Sequence, residues 1–265
     1  MRFFNILVLH FEHILEHRAR SFVWFLVSLF NPLLFILFWS GAFQNRKELG
    51  SGWSFSFLTS YYFLLTIAGS FLMAHVEEDI VEYDIGQGEL VKYLVKPFSY
   101  YWFKFCEEIH YRILQGFYGI VLFLIFYLFF GSFVRLAQTP IVLILATSIV
   151  ILAMFLAFTF KMILGLTAIW MTEVRALFQI TEAVLAIFAG YIMPLELFSH
   201  SLATVAYVLP FSYMIYFPVV AFLGKLTALE LIKVLAMQLV WLAILIMIYK
   251  IMWKRGLLKF TGVGQ

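Results

Sequence analysis

V-E-E-D-I-V-E-Y-D-I-G-Q-G-E-L-V-K-Y-L-V-K-P, residues Val76–Pro97, separates two long apolar runs. Six of the fifteen acidic residues fall between Glu77 and Glu89, in a chain of 265 residues that is 64% hydrophobic. Ionised side chains in hydrocarbon lack both water and partners, so a segment this charged has to project out of lipid. The apolar runs on either side must then supply the lipid-facing part.

The composition leads to the same conclusion. Only 12% of the residues are charged and 32 are Phe. A soluble domain of this size carries roughly 25% charged residues, and without them a water-facing surface cannot be covered. The sequence therefore predicts an all-α integral membrane protein with a single transmembrane permease domain spanning residues 1–265. A net charge of +3 marks membrane orientation in such a chain and does not point to nucleic acid. The lone Cys106 excludes an internal disulfide and is expected to be a small apolar filler.

Residues 1–20 place Phe4, Leu7, Phe11, Ile14 and Leu15 at helical spacing opposite charged positions. That pattern predicts a helix lying in the headgroup plane. Glu12 and Glu16 interrupt the apolar run, so no cleavable signal is expected there. Six spans are predicted at 21–42, 53–75, 113–134, 140–160, 177–193 and 231–252. The first would reach about 33 Å as a helix, enough for a hydrocarbon core of roughly 30 Å. With the N-terminus inside, thirteen of the eighteen Lys and Arg residues fall on the cytoplasmic side, so both termini are expected there. This orientation makes residues 76–112 cytoplasmic. It makes 194–230, with Pro194, Pro210 and Pro218, an extracytoplasmic re-entrant region of short helices in the outer leaflet.

Motifs for chemistry are missing from the sequence. It contains no G-x-x-x-x-G-K-[ST], no H-E-x-x-H and no G-x-S-x-G, so neither a P-loop nor a hydrolase site is predicted. No catalytic residue, metal ligand or cofactor is expected on this chain. In Glu89–Lys96 the residues Leu90, Val91, Leu94 and Val95 form one apolar side of a short helix, which Gly86 and Gly88 precede and Pro97 ends. The acids Glu77, Glu78, Asp79, Glu82 and Asp84 are expected to be a solvated approach that resists anionic lipid, leaving the apolar side for a partner protein.

The stretch D-I-G-Q-G-E-L-V-K-Y-L-V-K-P resembles the (D/E)-I-x-x-G-x-L-x-x-x-L-x-(R/K)-P motif of permease subunits of type-2 ABC exporters. Three more stretches resemble the family in the same order: A-G-Y-I-M-P-L-E-L-F at Ala189–Phe198, P-F-S-Y-M-I-Y-F-P at Pro210–Pro218, and W-K-R-G-L-L-K-F-T-G-V-G at Trp253–Gly264. The likeness is to the bacterial drug- and antibiotic-resistance-type permeases, although the acidic approach is richer here. It implies a dimer of this chain with a second copy or a related permease, in the bacterial inner membrane. It also implies a coupling helix seated on a separate ATPase subunit, which would hold the ATP and Mg2+. On that reading Ile85, Gly88, Leu90, Leu94 and Pro97 are coupling positions, and Glu89 meets a basic residue of the ATPase.

Within the membrane, Gln179, Thr181 and Glu182 are candidate pathway residues, because an ionisable group at that depth faces a protein interior or a water path. A boundary shift that places Glu182 at the cytoplasmic interface is the alternative. The cargo expected of such a permease is a hydrophobic or amphipathic small molecule. An ATP-independent secondary transporter or channel is the competing class, but the inverted repeats and the several intramembrane charges usual there are missing.

Overall fold

A backbone that leaves water has to satisfy its own N–H and C=O groups, and a helix does so within a single segment. The structure, a computed structural model, describes residues 22–23, 26–27, 30–44, 48–49, 52–73, 75–130, 136–137 and 139–260. The predicted interfacial helix at 1–20 lies outside them. The principal elements are helices α1 (Phe30–Ala42), α2 (Phe55–Leu72), α3 (Val76–Asp79), α4 (Leu90–Leu94), α5 (Tyr100–Phe130), α6 (Pro140–Leu166) and α7 (Val174–Phe188). Three short helices follow, α8 (His200–Val208), α9 (Pro210–Met214) and α10 (Tyr216–Phe222), and then the long α11 (Ala228–Lys259). A π-helical segment, Ile80–Gly86, continues α3. The segment before α2 holds a small antiparallel ladder of β1 (Glu48–Leu49) and β2 (Trp53–Ser54).

Among the described residues four helical runs are long and apolar enough to cross a membrane: Phe55–Gly86, Tyr100–Leu128, Pro140–Ile169 and Ala228–Lys259. A shorter apolar helix covers Leu33–Ala42. The helices run further than the predicted spans. The charged residues between Tyr100 and Arg112 belong to the first turns of α5, not to a loop. On that helix Ile113, Phe117, Ile120, Leu124 and Leu128 form an exposed stripe, with Leu128 at 81% exposure. A soluble monomer does not tolerate so continuous an apolar face, and lipid is the solvent that accepts it. The chain is accordingly a multi-pass, all-α membrane protein.

The core lies between α6 and α11, which make the most extensive packing in the molecule, with α10 and α3 against other parts of α6. Small residues on α6 allow this close approach, and Ala146, Ala153 and Ala157 are fully buried. Gln238 of α11 is completely buried and donates from Nε2 to the carbonyls of Ile149 (3.1 Å) and Tyr213 (2.9 Å), tying α11 to α6 and α9. The 194–230 region holds the short helices α8, α9 and α10. Its residues Met214, Ile215, Val220 and Ala221 are wholly buried against the bundle. Irregular backbone next to lipid needs protein partners of this kind. Thr227 starts α11 with a capping box, its hydroxyl accepting from the Glu230 amide while the Glu230 carboxylate accepts from the Thr227 amide.

Candidate functional site

The segment Val76–Pro97 folds back onto the bundle, which corrects the expectation of a solvated acidic approach. Glu77 is 3% and Asp84 1% exposed. Each meets a cation from a long helix: Lys161 Nζ of α6 donates to Glu77 Oε1 at 2.5 Å, and Lys104 Nζ of α5 lies 2.9 Å from Asp84 Oδ2. Burying a carboxylate alone costs several kcal/mol, and a close ammonium offsets much of that, so these acids can leave water. Only Glu78, Asp79 and Glu82 of the group stay exposed. The Tyr100 hydroxyl donates to the same Asp84 oxygen at 2.5 Å.

A second set of polar contacts fixes the start of the segment. Arg112 of α5, 1% exposed, donates from Nη1 to the carbonyl of Leu72 at 2.7 Å, at the end of α2. Carbonyls at a helix C-terminus carry partial negative charge and favour a cation there. Glu108 accepts from Arg112 Nε and from the His75 amide, both at 3.3 Å. The chain thus leaves α2 along a fixed path.

After the π-helical segment, Gly88 takes φ +74, in the left-handed region that suits glycine, and turns the chain into α4. The helix is only five residues long, and its two sides differ. Leu90 (0% exposed) and Tyr93 (7%) point into the core, where Tyr93 packs edge-on against Tyr100 and Phe103 at centroid distances of 5.5 and 5.0 Å. Burial pushes the Tyr93 phenol up to about 12, so it stays neutral and the Lys104 ammonium, 5.2 Å from its ring, meets an aromatic face. Val91, Leu94 and Val95 face outward, Val95 at 79% exposure. The sequence groups Leu90 with these three, but the structure buries it in the core while they stay exposed. Lys92 and Lys96 flank the exposed group, while Glu89 pairs with Lys92 within the chain. Ile85 and Gly88 are half-buried and Pro97 is exposed.

The anchored side continues into the last helix. Tyr100 stacks on Trp253 of α11 at 4.7 Å, with ring planes 9° apart, and Tyr101 packs against Tyr249 at 5.2 Å. Trp253 opens the fourth stretch that resembles the permease family. The second such stretch is held as firmly: Tyr61 donates to the Gly190 carbonyl at 2.6 Å and Tyr62 to that of Ile192 at 2.8 Å. Lys225, between α10 and α11, places its ammonium 3.8 Å from the centre of the Trp53 ring, and burial lowers its pKa.

Of the candidate pathway residues, Glu182 accepts from Lys161 at 2.8 Å, placing it level with Glu77 and the charged segment. The Thr181 hydroxyl is spent on the Leu177 carbonyl, and Gln179 is exposed. In the sequence Lys161 counts only towards membrane orientation, not as a site residue. Its signal was available: it is the only charged residue from Pro140 to Thr172. Among the described residues no group of three or more His, Cys, Asp and Glu side chains could hold a metal ion. Cys106 is buried and free, as a filler should be.

Taken together these features define a membrane-embedded helical subunit that presents a short, rigidly anchored apolar surface beside its charged end. A family model described as ABC-2 family transporter protein matches residues 29–264, and the chain belongs to that family. It is thus a type-2 ABC permease, the membrane component of a transporter. Comparison with curated proteins and with solved structures gives no match.

Proposed function

We propose that this chain is the membrane-spanning subunit of an ATP-driven exporter of hydrophobic or amphipathic small molecules. It crosses the bacterial inner membrane six times with both termini in the cytoplasm, and forms the pathway as a dimer with a second copy or a related permease. A separate ATPase subunit drives it through residues 85–97. Family membership supports an ABC partner, and the sequence has no P-loop of its own.

The observation that carries the reading is the exposed trio Val91, Leu94 and Val95, standing on the buried pair Leu90 and Tyr93. An apolar knob is costly in water unless something covers it, and one that transmits force has to be braced from behind. ATP would close two partner subunits, carry the paired α4 helices with them, and rearrange the spans between inward- and outward-open states. Purifying the tagged chain from membranes tests this. ATP hydrolysis is expected to co-elute with the parent and to be lost with Leu94→Asp while the permease itself stays folded. A parent that elutes without any ATPase, or a Leu94→Asp variant that keeps it, would overturn the proposal.

A further inference from the structure

We infer that Lys161 is the positioning residue through which displacement of the charged segment reaches α7, with its bond to Glu77 as the fixed arm and its bond to Glu182 as the arm that opens. This rests on the coupling role proposed above and names the joint through which that role acts.

One ammonium holds three elements. Its partners lie 84 and 21 residues away in sequence, on α3 and α7, while Lys161 itself is 1% exposed on α6. The two arms are unequal. The Glu77 side chain is 4% exposed, whereas that of Glu182 is 60% exposed. Opening the first would strand a carboxylate away from water, and opening the second returns one to water at little cost. The lysine keeps one partner in either case.

The surrounding packing reinforces this asymmetry. Four residues beyond Lys161, a Cβ on Gly165 would lie 2.9 Å from Ile80 Cβ and 3.1 Å from Glu77 Cα. The start of the charged segment is therefore seated directly on the α6 backbone and moves with it. Helix α7 is attached differently: among the described elements it packs more than glancingly only on α9. The Lys161–Glu182 bond thus ties α7 to the charged layer. Motion of that layer either draws α7 along or breaks the exposed arm, and these are two discrete arrangements of the kind that transmission between sites needs.

The test uses the purified complex of permease and ATPase in lipid nanodiscs. Cys106→Ala removes the buried native thiol, and Ala176→Cys places an exposed reporter on α7. Maleimide labelling rates are compared between the nucleotide-free complex and the complex trapped with ATP and vanadate. In the parent the two rates are expected to differ by roughly tenfold, within the range usual for coupled sites. Glu182→Gln should cut the difference to about twofold or less, and Lys161→Arg should keep most of it, since it preserves the charge. Loss of folding alone would not show that pattern of rescue. A full difference in Glu182→Gln, or none in the parent, overturns the inference while a bound ATPase leaves the coupling role standing. A complex that cannot be isolated because no ATPase binds overturns both.

Discussion

Leu90 and Leu94 lie one turn apart on α4, and truncating each to alanine separates folding from docking. Leu90 is completely buried in the main core cluster, so Leu90→Ala removes apolar contact and leaves a cavity, at a cost of about 2–5 kcal/mol. For a chain of this size that lowers the Tm by about 5–15 °C. Leu94 is 44% exposed, and Leu94→Ala should change the stability of the isolated permease by no more than about 0.5 kcal/mol. Its effect belongs to the complex, where losing a central apolar contact costs about 1–2 kcal/mol, or roughly 5–30-fold in Kd. Tryptophan fluorescence on heating in detergent measures the first quantity, and binding of the ATPase to immobilised permease measures the second. A Leu94→Ala permease destabilised as much as Leu90→Ala would refute this division of roles, as would a Leu90→Ala permease whose Tm stays within about 2 °C of the parent.

Further outcomes follow from the charged layer and the turns. Lys161→Met leaves the Glu77 carboxylate buried without its ammonium, and a loss of about 3–5 kcal/mol should appear as a lower yield of monodisperse protein, with Lys161→Arg close to the parent. Gly190→Ala adds a Cβ at φ +82 and 2.5 Å from the Tyr61 hydroxyl, so it should destabilise by about 1–3 kcal/mol on thermal unfolding, more than Tyr61→Phe at about 1 kcal/mol. Thr227→Ala removes the capping box of α11 and should cost about 1 kcal/mol in the same assay, whereas Thr227→Ser should be nearly neutral.

Much of the architecture could be read from sequence because lipid imposes a strong pattern. A charged segment between apolar runs has to leave the membrane, and Leu90–Leu94 between Gly88 and Pro97 has to be a short helix. The same patterns could not say which side of that helix faces inward. Five residues make little more than one turn, and Leu90, Val91, Leu94 and Val95 look alike until the position of Tyr100 is known. The acids misled for a related reason. Glu77 and Asp84 look like solvent residues because their cations, Lys161 and Lys104, lie 84 and 20 residues further along on other helices. Glu182 looks like a lone mid-membrane charge for the same reason: it is the ninth of the fifteen residues of α7, and the Lys161 that pairs with it lies 21 residues earlier, on α6.

The anchored apolar knob is the centre of the account, and one affinity tests it most directly. Val95 is 79% exposed and has no structural work to do inside the chain, so Val95→Asp should leave the permease folded and its Tm unchanged. Its affinity for the ATPase subunit should fall by about a hundredfold, the effect expected when a charge enters the buried centre of an interface. An unchanged Kd with folded Val95→Asp permease would contradict the claim that this surface is where the ATPase takes hold.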